Sequence, residues 1–376
     1  MEYKRQLSDL KVAIVHDWLT GVGGAERVVE SMLKLFPQAE LYTSVYDSTK
    51  LTIFKGRKVH TTFLQSWPLA KRKHQFFASI RPLAFESLDL SSYDLVISSS
   101  SAESKGVITS TETLHISYIH TPVRYYWSGY QRYLAHPGFG VLNPLVRLLM
   151  PSMVRKLRIW DFAAAQRSDF LIANSNLVAG RIKKYYGRES EVINPPVNIK
   201  RFDYRHAKVG DYYLVVSRLV PYKRVDLAIL ACNELGRKLI VAGRGPELKN
   251  LQKIAGDTIE FIVSPTDDKV DSLYLASKAL IFSGLEDFGI TPLEAMSAGK
   301  PVICFGKGGA TETVIDGKTG VIYDKQSVES LVQAIQQFEK TSFDKEIIVK
   351  RARMFSEDRF LSELGGYVIG KINQKG

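Results

Sequence analysis

The chain has 376 residues, enough for two domains of ordinary size, and an apolar content of 45% excludes a wholly disordered protein. The formal charge of +12 is uneven, with a net +9 on residues 1–195 and +3 on residues 196–376, so the first half is expected to lie near an anionic partner. Cys232 and Cys304 lack the spacing of metal ligands, which argues against a zinc site or disulfide framework and favours a reducing compartment.

Short runs rich in Val and Ile alternate with helical patterns, as buried parallel strands do. The runs cover residues 12–15, 95–97, 116–119, 170–173, 212–216, 239–242, 259–263, 279–282 and 302–305. The pattern occurs twice and is interrupted at Pro195 and Pro196, where paired prolines prevent a helix or a central strand. We therefore predict an α/β chain of two doubly wound, Rossmann-like domains facing a central cleft. The predicted domains are residues 1–195 and 196–355, with a last helix in 356–376 packing back toward the first domain.

Two features of the first domain follow predicted strands. Gly21, Gly23 and Gly24 come after the first strand and open a helix, and such glycines let backbone N–H groups approach a phosphate. The loop does not have the GxGxxG dinucleotide pattern, so a plain strand-to-helix turn is the alternative. His120 ends the strand at 116–119, where it can contact a sugar or an acceptor hydroxyl, or be a structural histidine.

The second domain carries charged residues after two predicted strands. Arg218 and Lys223 follow residues 212–216 and together can neutralise a diphosphate, although cations in loops are often only solvated. Glu286 and Glu294 follow residues 279–282 and can accept hydrogen bonds from sugar hydroxyls, with helix capping as the alternative for Glu294. Backbone N–H groups at 289–293 start a helix, which adds a phosphate-binding element.

The ordered set of second-domain motifs resembles glycosyltransferase family 4, which has the GT-B fold. The motifs are Ser217-Arg218-Leu219 with Lys223, Gly243-x-Gly245-Pro246-Glu247, Glu286 and Glu294 with seven residues between them, Gly308-Gly309 with Glu312, and Gly317-x-x-Gly320. The first domain resembles the branch often called WbaZ-like mannosyltransferases through His16-Asp17-Trp18-Leu19, Gly23-Gly24-Ala25-Glu26 and residues 118–125. Members of that branch elongate lipid-linked polysaccharide or O-antigen chains, usually from GDP-mannose.

The resemblance implies a role for each motif residue. Arg218 and Lys223 hold the donor diphosphate and act in catalysis with Glu286 and His120, which meet the transferred sugar. Glu294 binds the ribose of the nucleotide. The other implied donor contacts are Gly23, Gly24, Val263, Phe288, Gly289, Ile290, Thr291 and Leu293, and the implied acceptor contacts are Lys105, Arg124 and Tyr125. Close relatives often have a histidine where residues 100–102 are Ser-Ser-Ala here, a departure that concerns acceptor recognition.

The implied reaction is a retaining transfer of mannose from GDP-mannose to a hydroxyl of a lipid-linked or polysaccharide acceptor. No two aspartates lie two positions apart, so the metal-holding DxD motif is absent, and we expect neither a divalent metal nor a cofactor besides the donor substrate. Alternatives are the same fold with a UDP-sugar donor, a GT-B nucleotide-sugar epimerase or hydrolase, and a basic nucleic-acid-binding protein. The last lacks a reader motif, so we predict no nucleic-acid partner.

Basic and aromatic residues are mixed in segments 67–88 and 122–160, a composition that suits an anionic membrane surface. The alternative is an ordinary helix pair whose apolar stripe is core. No window offers about 18 uninterrupted apolar residues, and the first apolar run is too short for a signal peptide. We therefore expect a cytoplasmic protein that is peripheral on the inner face of the plasma membrane.

Overall fold

The computed structural model describes residues 7–72, 74–205 and 208–375. Contacts divide the chain into two units, the first comprising Met1–Asn194 with Phe360–Gly376 and the second Pro195–Arg359. The observed division falls one residue before the predicted one, at the Asn194–Pro195 bond. The segment predicted as a separate last helix is shared, because its first residues stay with the second unit and the rest joins the first.

The first unit is built on a parallel sheet with the spatial strand order 3-2-1-4-5-6-7. Its strands are β1 (Val12–His16), β2 (Glu40–Thr43), β3 (Val59–Thr61), β4 (Leu95–Ser100), β5 (Leu114–Ile119), β6 (Phe170–Ala173) and β7 (Glu191–Val192). Its helices include α1 (Gly24–Leu35), α2 (Arg81–Glu86), α3 (Tyr130–Ala135), α4 (Asn143–Arg167) and α5 (Asn176–Tyr186). β1, β4 and β5 are buried along their whole length, as expected of central parallel strands covered on both faces.

The second unit has a parallel sheet of spatial order 10-9-8-11-12-13. Its strands are β8 (Tyr213–Val216), β9 (Leu239–Gly243), β10 (Ile259–Val263), β11 (Ala279–Phe282), β12 (Val302–Phe305) and β13 (Gly320–Tyr323). Its helices include α6 (Val225–Leu235), α7 (Leu248–Lys253), α8 (Asp267–Ala276), α9 (Ile290–Ser297), α10 (Ala310–Thr313), α11 (Val328–Lys340) and α12 (Lys345–Arg353).

The last helix, α13 (Glu357–Lys375), returns to the first unit. Its buried residues Phe360, Leu364 and Val368 join the main apolar core there, and the Phe360 ring lies 6.0 Å from that of Tyr118 on β5. These side chains recur every four residues, which places them on one face of the helix.

Both sheets reverse their strand order beside their first strand. The chain winds outward from β1 to β3 and then resumes on the other side with β4, and it repeats this between β8 and β11. Ligands of open parallel sheets bind beyond the carboxyl ends of the strands at such reversals. The predicted α/β fold of two doubly wound domains is confirmed, and the reversals show where to look for a site in each unit.

Strand β4 extends three residues beyond the predicted run, through Ser98, Ser99 and Ser100. Serine does not favour a buried strand, but here each hydroxyl has a partner: His115 for Ser98, His120 for Ser99 and the Ala102 carbonyl for Ser100. Side-chain hydrogen bonds therefore make up for the low apolarity of this strand end. The short strands β2, β3, β7 and β13 were not predicted.

Helix α4 is 25 residues long and exposes leucines in its first turns. Leu145, Leu148 and Leu149 are 54%, 75% and 55% exposed, whereas Val154 and Leu157 farther along are buried. None of the helices in the described ranges has the length and hydropathy needed to cross a bilayer.

Candidate functional site

In the second unit, the loops after β8 and β11 meet at the reversal of the sheet. Lys223 follows β8 and its ammonium forms an ion pair with the Glu286 carboxylate after β11, with side chains 14% and 18% exposed. The Lys223 ammonium also lies 5.4 Å and 5.9 Å from the ring centres of Tyr222 and Phe282. Arg218, in the same loop, is exposed and has no ion-pair partner among the described residues. The structure thus brings three of the four predicted catalytic residues to the same two loops.

The Gly308-Gly309 motif fixes the loop that carries Glu286. The Gly309 N–H donates to the Glu286 carbonyl at 2.9 Å, and a Cβ on Gly309 would lie 2.3 Å from the Phe288 Cα. Gly308 has a φ of 94°, a conformation that side-chain-bearing residues rarely adopt. Glycine is needed at both positions because the backbone at 308–309 approaches the backbone at 286–288 too closely for any side chain.

Glu294, in the second turn of α9, is held by two side chains. Tyr274 on α8 donates its hydroxyl to Glu294 Oε2 at 3.0 Å, and Arg201 Nη1 donates to Oε1 at 3.2 Å. Arg201 also forms an ion pair with Asp271. The Glu294 side chain is 24% exposed, so its carboxylate is oriented and still accessible to a ligand. Sequence reasoning missed Arg201, Tyr274 and Asp271, because they are 93, 20 and 23 positions away from Glu294 and belong to no local motif.

The amino terminus of α9 has the properties of a phosphate-binding element. The helix begins at Ile290 after Gly289, whose φ of 87° is typical of glycine, and no side chain caps it. The Phe288 and Leu293 side chains are buried, so only their backbone groups are available to a ligand. Thr291 lies in the same first turn, and its side chain is half-buried.

Val263, one of the implied donor contacts, ends the edge strand β10. Its side chain is 49% exposed.

In the first unit, the predicted residues lie around the carboxyl ends of β1, β4 and β5. Gly23 and Gly24 are exposed at the start of α1, directly after the loop that follows β1. His120 follows β5 and is partly exposed, and its Nε2 lies 2.8 Å from the Ser99 hydroxyl of β4. The structure thus shows that His120 has a hydrogen-bond partner, Ser99, that the sequence did not indicate.

Asp17, which sequence reasoning did not assign a role, joins the loops after β1 and β4. Its carboxylate accepts hydrogen bonds from the backbone N–H groups of Ser101, Ala102 and Ser104 at 2.6, 2.9 and 2.9 Å. Burial opposes ionisation, but His16 and the N–H donors outweigh it and lower the pKa of Asp17. The Ser101 hydroxyl also donates to Asp17. Ser101, which lies in the stretch 100–102 where close relatives often have a histidine, therefore stabilises this loop.

Two of the predicted acceptor residues, Lys105 and Tyr125, bond to buried carboxylates. The Lys105 side chain is 1% exposed, and its ammonium donates to the Asp161 carboxylate and to the Ala102 carbonyl. The Tyr125 hydroxyl donates to Glu103 at 2.6 Å. Arg124 is half-buried. A buried ammonium that already has two acceptors holds the fold, and the structure gives Lys105 that role.

The geometry of the second unit agrees with a known family. Residues 197–355 match the sequence family described as glycosyl transferases group 1. The second unit is a glycosyltransferase domain. Residues 197–355 contain Arg218, Lys223, Glu286 and Glu294, so the match covers the whole of the site just described.

Individual relatives agree with this assignment. The chain is 36% identical, over 147 residues, to a GDP-mannose-dependent alpha-(1-6)-phosphatidylinositol monomannoside mannosyltransferase of Mycolicibacterium smegmatis, covering 34% of this chain and 38% of that enzyme. It is 25% identical over 333 residues to an uncharacterised glycosyltransferase of Methanocaldococcus jannaschii, covering 87% of both chains. Among solved structures, an Anabaena HepE complex with UDP and glucose has a TM-score of 0.68 at 18% identity, covering 96% of this chain and 99% of that one.

The predicted GT-B fold is confirmed, and the predicted resemblance to glycosyltransferases is confirmed over residues 197–355; the relatives of the chain include mannosyltransferases. The alignment spans less than two fifths of the mycobacterial enzyme. Donor, acceptor and stereochemistry are therefore proposals.

Proposed function

We propose that this chain is a retaining, metal-independent mannosyltransferase that uses GDP-mannose and a lipid-linked or polysaccharide acceptor. The observation that carries the proposal is the contact of Lys223 with Glu286, beside Arg218 and the uncapped start of α9. A lysine, an arginine and a helix amino terminus together suit a diphosphate. The name of the Mycolicibacterium relative, which is GDP-mannose-dependent, supports the choice of donor.

In the proposed reaction, the donor diphosphate replaces the Glu286 carboxylate as the ion-pair partner of Lys223. The released Glu286 carboxylate then accepts hydrogen bonds from hydroxyls of the transferred sugar, while Glu294, held by Tyr274 and Arg201, accepts those of the ribose. The acceptor oxygen bonds to the anomeric carbon on the face from which the diphosphate departs. The acceptor proton passes to the leaving phosphate oxygen, so the products are the mannoside and GDP. Lys223, Arg218 and the α9 amides stabilise the charge on that phosphate without a metal.

A donor panel tests the nucleotide and the sugar. We expect GDP-mannose to raise the unfolding temperature of the full chain more than UDP- or ADP-sugars, since a ligand that binds only the folded state adds about 2.7 kcal/mol at 100 times its Kd. Adding EDTA should leave this stabilisation and the transfer of labelled mannose unchanged. If only UDP-sugars stabilise the chain, the donor is a UDP-sugar and not GDP-mannose. Rapid release of free or epimerised sugar without an acceptor would instead indicate the hydrolase or epimerase alternative.

We also propose that the first unit binds an anionic membrane at the inner face of the plasma membrane, through one part of the predicted basic and aromatic segments. Residues Tyr125, Tyr126 and Trp127 do not contribute, because their polar atoms bond to buried carboxylates. The proposed surface is the start of α4 and the residues before it, which we call the leucine surface. It consists of Val141, Leu142, Leu145, Leu148 and Leu149, with exposed fractions from 54% to 95%.

The spacing of the leucine surface supports this proposal. Leu148 and Leu149 lie three and four positions after Leu145, so these three leucines share one face of α4, and the exposed Arg147, Arg155 and Lys156 lie on the same helix. Cations near an anionic bilayer contribute about 1 kcal/mol each, and apolar side chains can enter the headgroup region. A lipid-linked acceptor would be reached from such a position.

Replacing Leu148 by aspartate tests the leucine surface. We expect L148D to reduce co-sedimentation with phosphatidylglycerol-containing vesicles at least several-fold, because it places a charge where an apolar side chain enters the bilayer. The matched control is I347D, which changes a 47% exposed isoleucine on α12 of the second unit. Equal vesicle binding by L148D and the wild type would contradict membrane binding through this surface.

A further inference from the structure

A chain of hydrogen-bonding side chains crosses the first unit behind His120. Glu26 on α1 lies 3.7 Å from His16 Nε2, at the end of β1. His16 Nδ1 lies 3.0 Å from the Ser99 carbonyl oxygen and 3.2 Å from the Ser99 hydroxyl. The same hydroxyl lies 2.8 Å from His120 Nε2. Glu26, His16 and Ser99 are buried, so water does not compete for these contacts.

The position of each proton follows from which atoms can donate. A carbonyl oxygen only accepts, so His16 Nδ1 must carry a proton and donate to Ser99. Burial lowers the pKa of His16, but hydrogen bonding and charge from Glu26 outweigh it and leave the pKa raised. The nearby Glu26 carboxylate thus favours a proton on Nε2 as well, while the proton on Nδ1 is required by the Ser99 carbonyl alone. His16 therefore cannot accept the hydroxyl proton of Ser99.

The Ser99 hydroxyl then has one available acceptor within the described part of the chain, His120 Nε2. If His120 Nε2 carried the proton instead, the buried hydroxyl hydrogen of Ser99 would have no partner, which is unfavourable. Nε2 of His120 is thus the acceptor, and the proton of the neutral ring resides on Nδ1.

We propose that Ser99 is a positioning residue that holds neutral His120 in the tautomer protonated on Nδ1, with His16 and Glu26 fixing the direction of the Ser99 hydroxyl. With its proton on Nδ1, His120 can only donate a hydrogen bond from that nitrogen to a ligand oxygen and cannot act there as a general base. The role of this tautomer in sugar transfer rests on the proposed function. The same arrangement explains why one first-domain motif contains His16 and the other contains Glu26, since both residues orient the Ser99 hydroxyl.

Nuclear magnetic resonance of the full chain labelled with ¹⁵N-histidine tests the tautomer without any substrate. We expect the His120 signals, assigned by their loss in H120N, to show the proton on Nδ1, although imidazole in water favours Nε2. In S99A the Nε2-protonated pattern should appear, and S99T, which keeps a hydroxyl, should restore the Nδ1 pattern. In transfer assays S99A should lower kcat while leaving the KM for the donor unchanged.

The matched control is S98A, the preceding residue of β4. Ser98 is equally buried and also bonds a histidine, His115 at 3.0 Å, so its loss should alter the His115 signals and leave those of His120 unchanged. A wild-type His120 protonated on Nε2, or an unchanged His120 tautomer in S99A, would overturn the inference even if the donor panel succeeds. Because the spectra need no turnover, failure of the donor panel would not be mistaken for failure of this inference.

Discussion

Replacing Lys223 by methionine is expected to lower kcat for mannose transfer by about 10²–10³-fold, the usual effect of removing one group that stabilises developing charge. Methionine keeps much of the apolar stem that lies near the Tyr222 and Phe282 rings, so the fold should persist. The substitution removes the cation paired with Glu286. The measurement is steady-state transfer from GDP-mannose, with circular dichroism to check folding.

The matched control for K223M is K249Q, which changes an exposed lysine on α7 of the same unit. K249Q should retain wild-type turnover, because Lys249 lies outside the loops that follow β8 and β11. If K223M keeps most of its activity while K249Q is also unaffected, the leaving phosphate is stabilised elsewhere, and the assignment of Lys223 would be wrong.

Replacing Lys105 by methionine is expected to destabilise the first unit by about 3–5 kcal/mol, because it leaves the buried Asp161 carboxylate without its cation. Asp161 would keep hydrogen bonds from Trp127 and Tyr186, at 2.7 and 2.8 Å, but no positive charge. All four tryptophans, Trp18, Trp67, Trp127 and Trp160, belong to the first unit. Tryptophan fluorescence during urea unfolding therefore reports on this unit.

This measurement separates a structural role of Lys105 from the acceptor contact that the family resemblance implies. The control is K156M, since Lys156 is exposed on α4 and should change the unfolding midpoint little. A K105M protein with wild-type unfolding but impaired use of the acceptor would contradict the structural role and restore the predicted contact.

The sequence alone determined the architecture and most of the residues that the structure places at the candidate site of the second unit. Buried runs of Val and Ile, the paired prolines and the glycine motifs are local signals, because each reflects the backbone or burial requirement of a single element. Lys223 and Glu286 were found in this way, since both lie in loops that follow strands, and the carboxyl ends of β8 and β11 meet where the sheet reverses. The sequence of residues 289–293 likewise predicted that a helix, α9, starts there.

Only the tertiary structure showed which partners these residues have. Arg201 and Tyr274 reach Glu294 from distant positions, and Asp17 accepts hydrogen bonds from residues more than 80 positions along the chain. The ion pair of Lys105 could not be predicted for the same reason, because its partner Asp161 is 56 positions away on α4. Sequence motifs reveal which chemical groups follow a strand. Whether a charged group meets a ligand or an internal partner depends on contacts between distant segments, which form only when the chain folds.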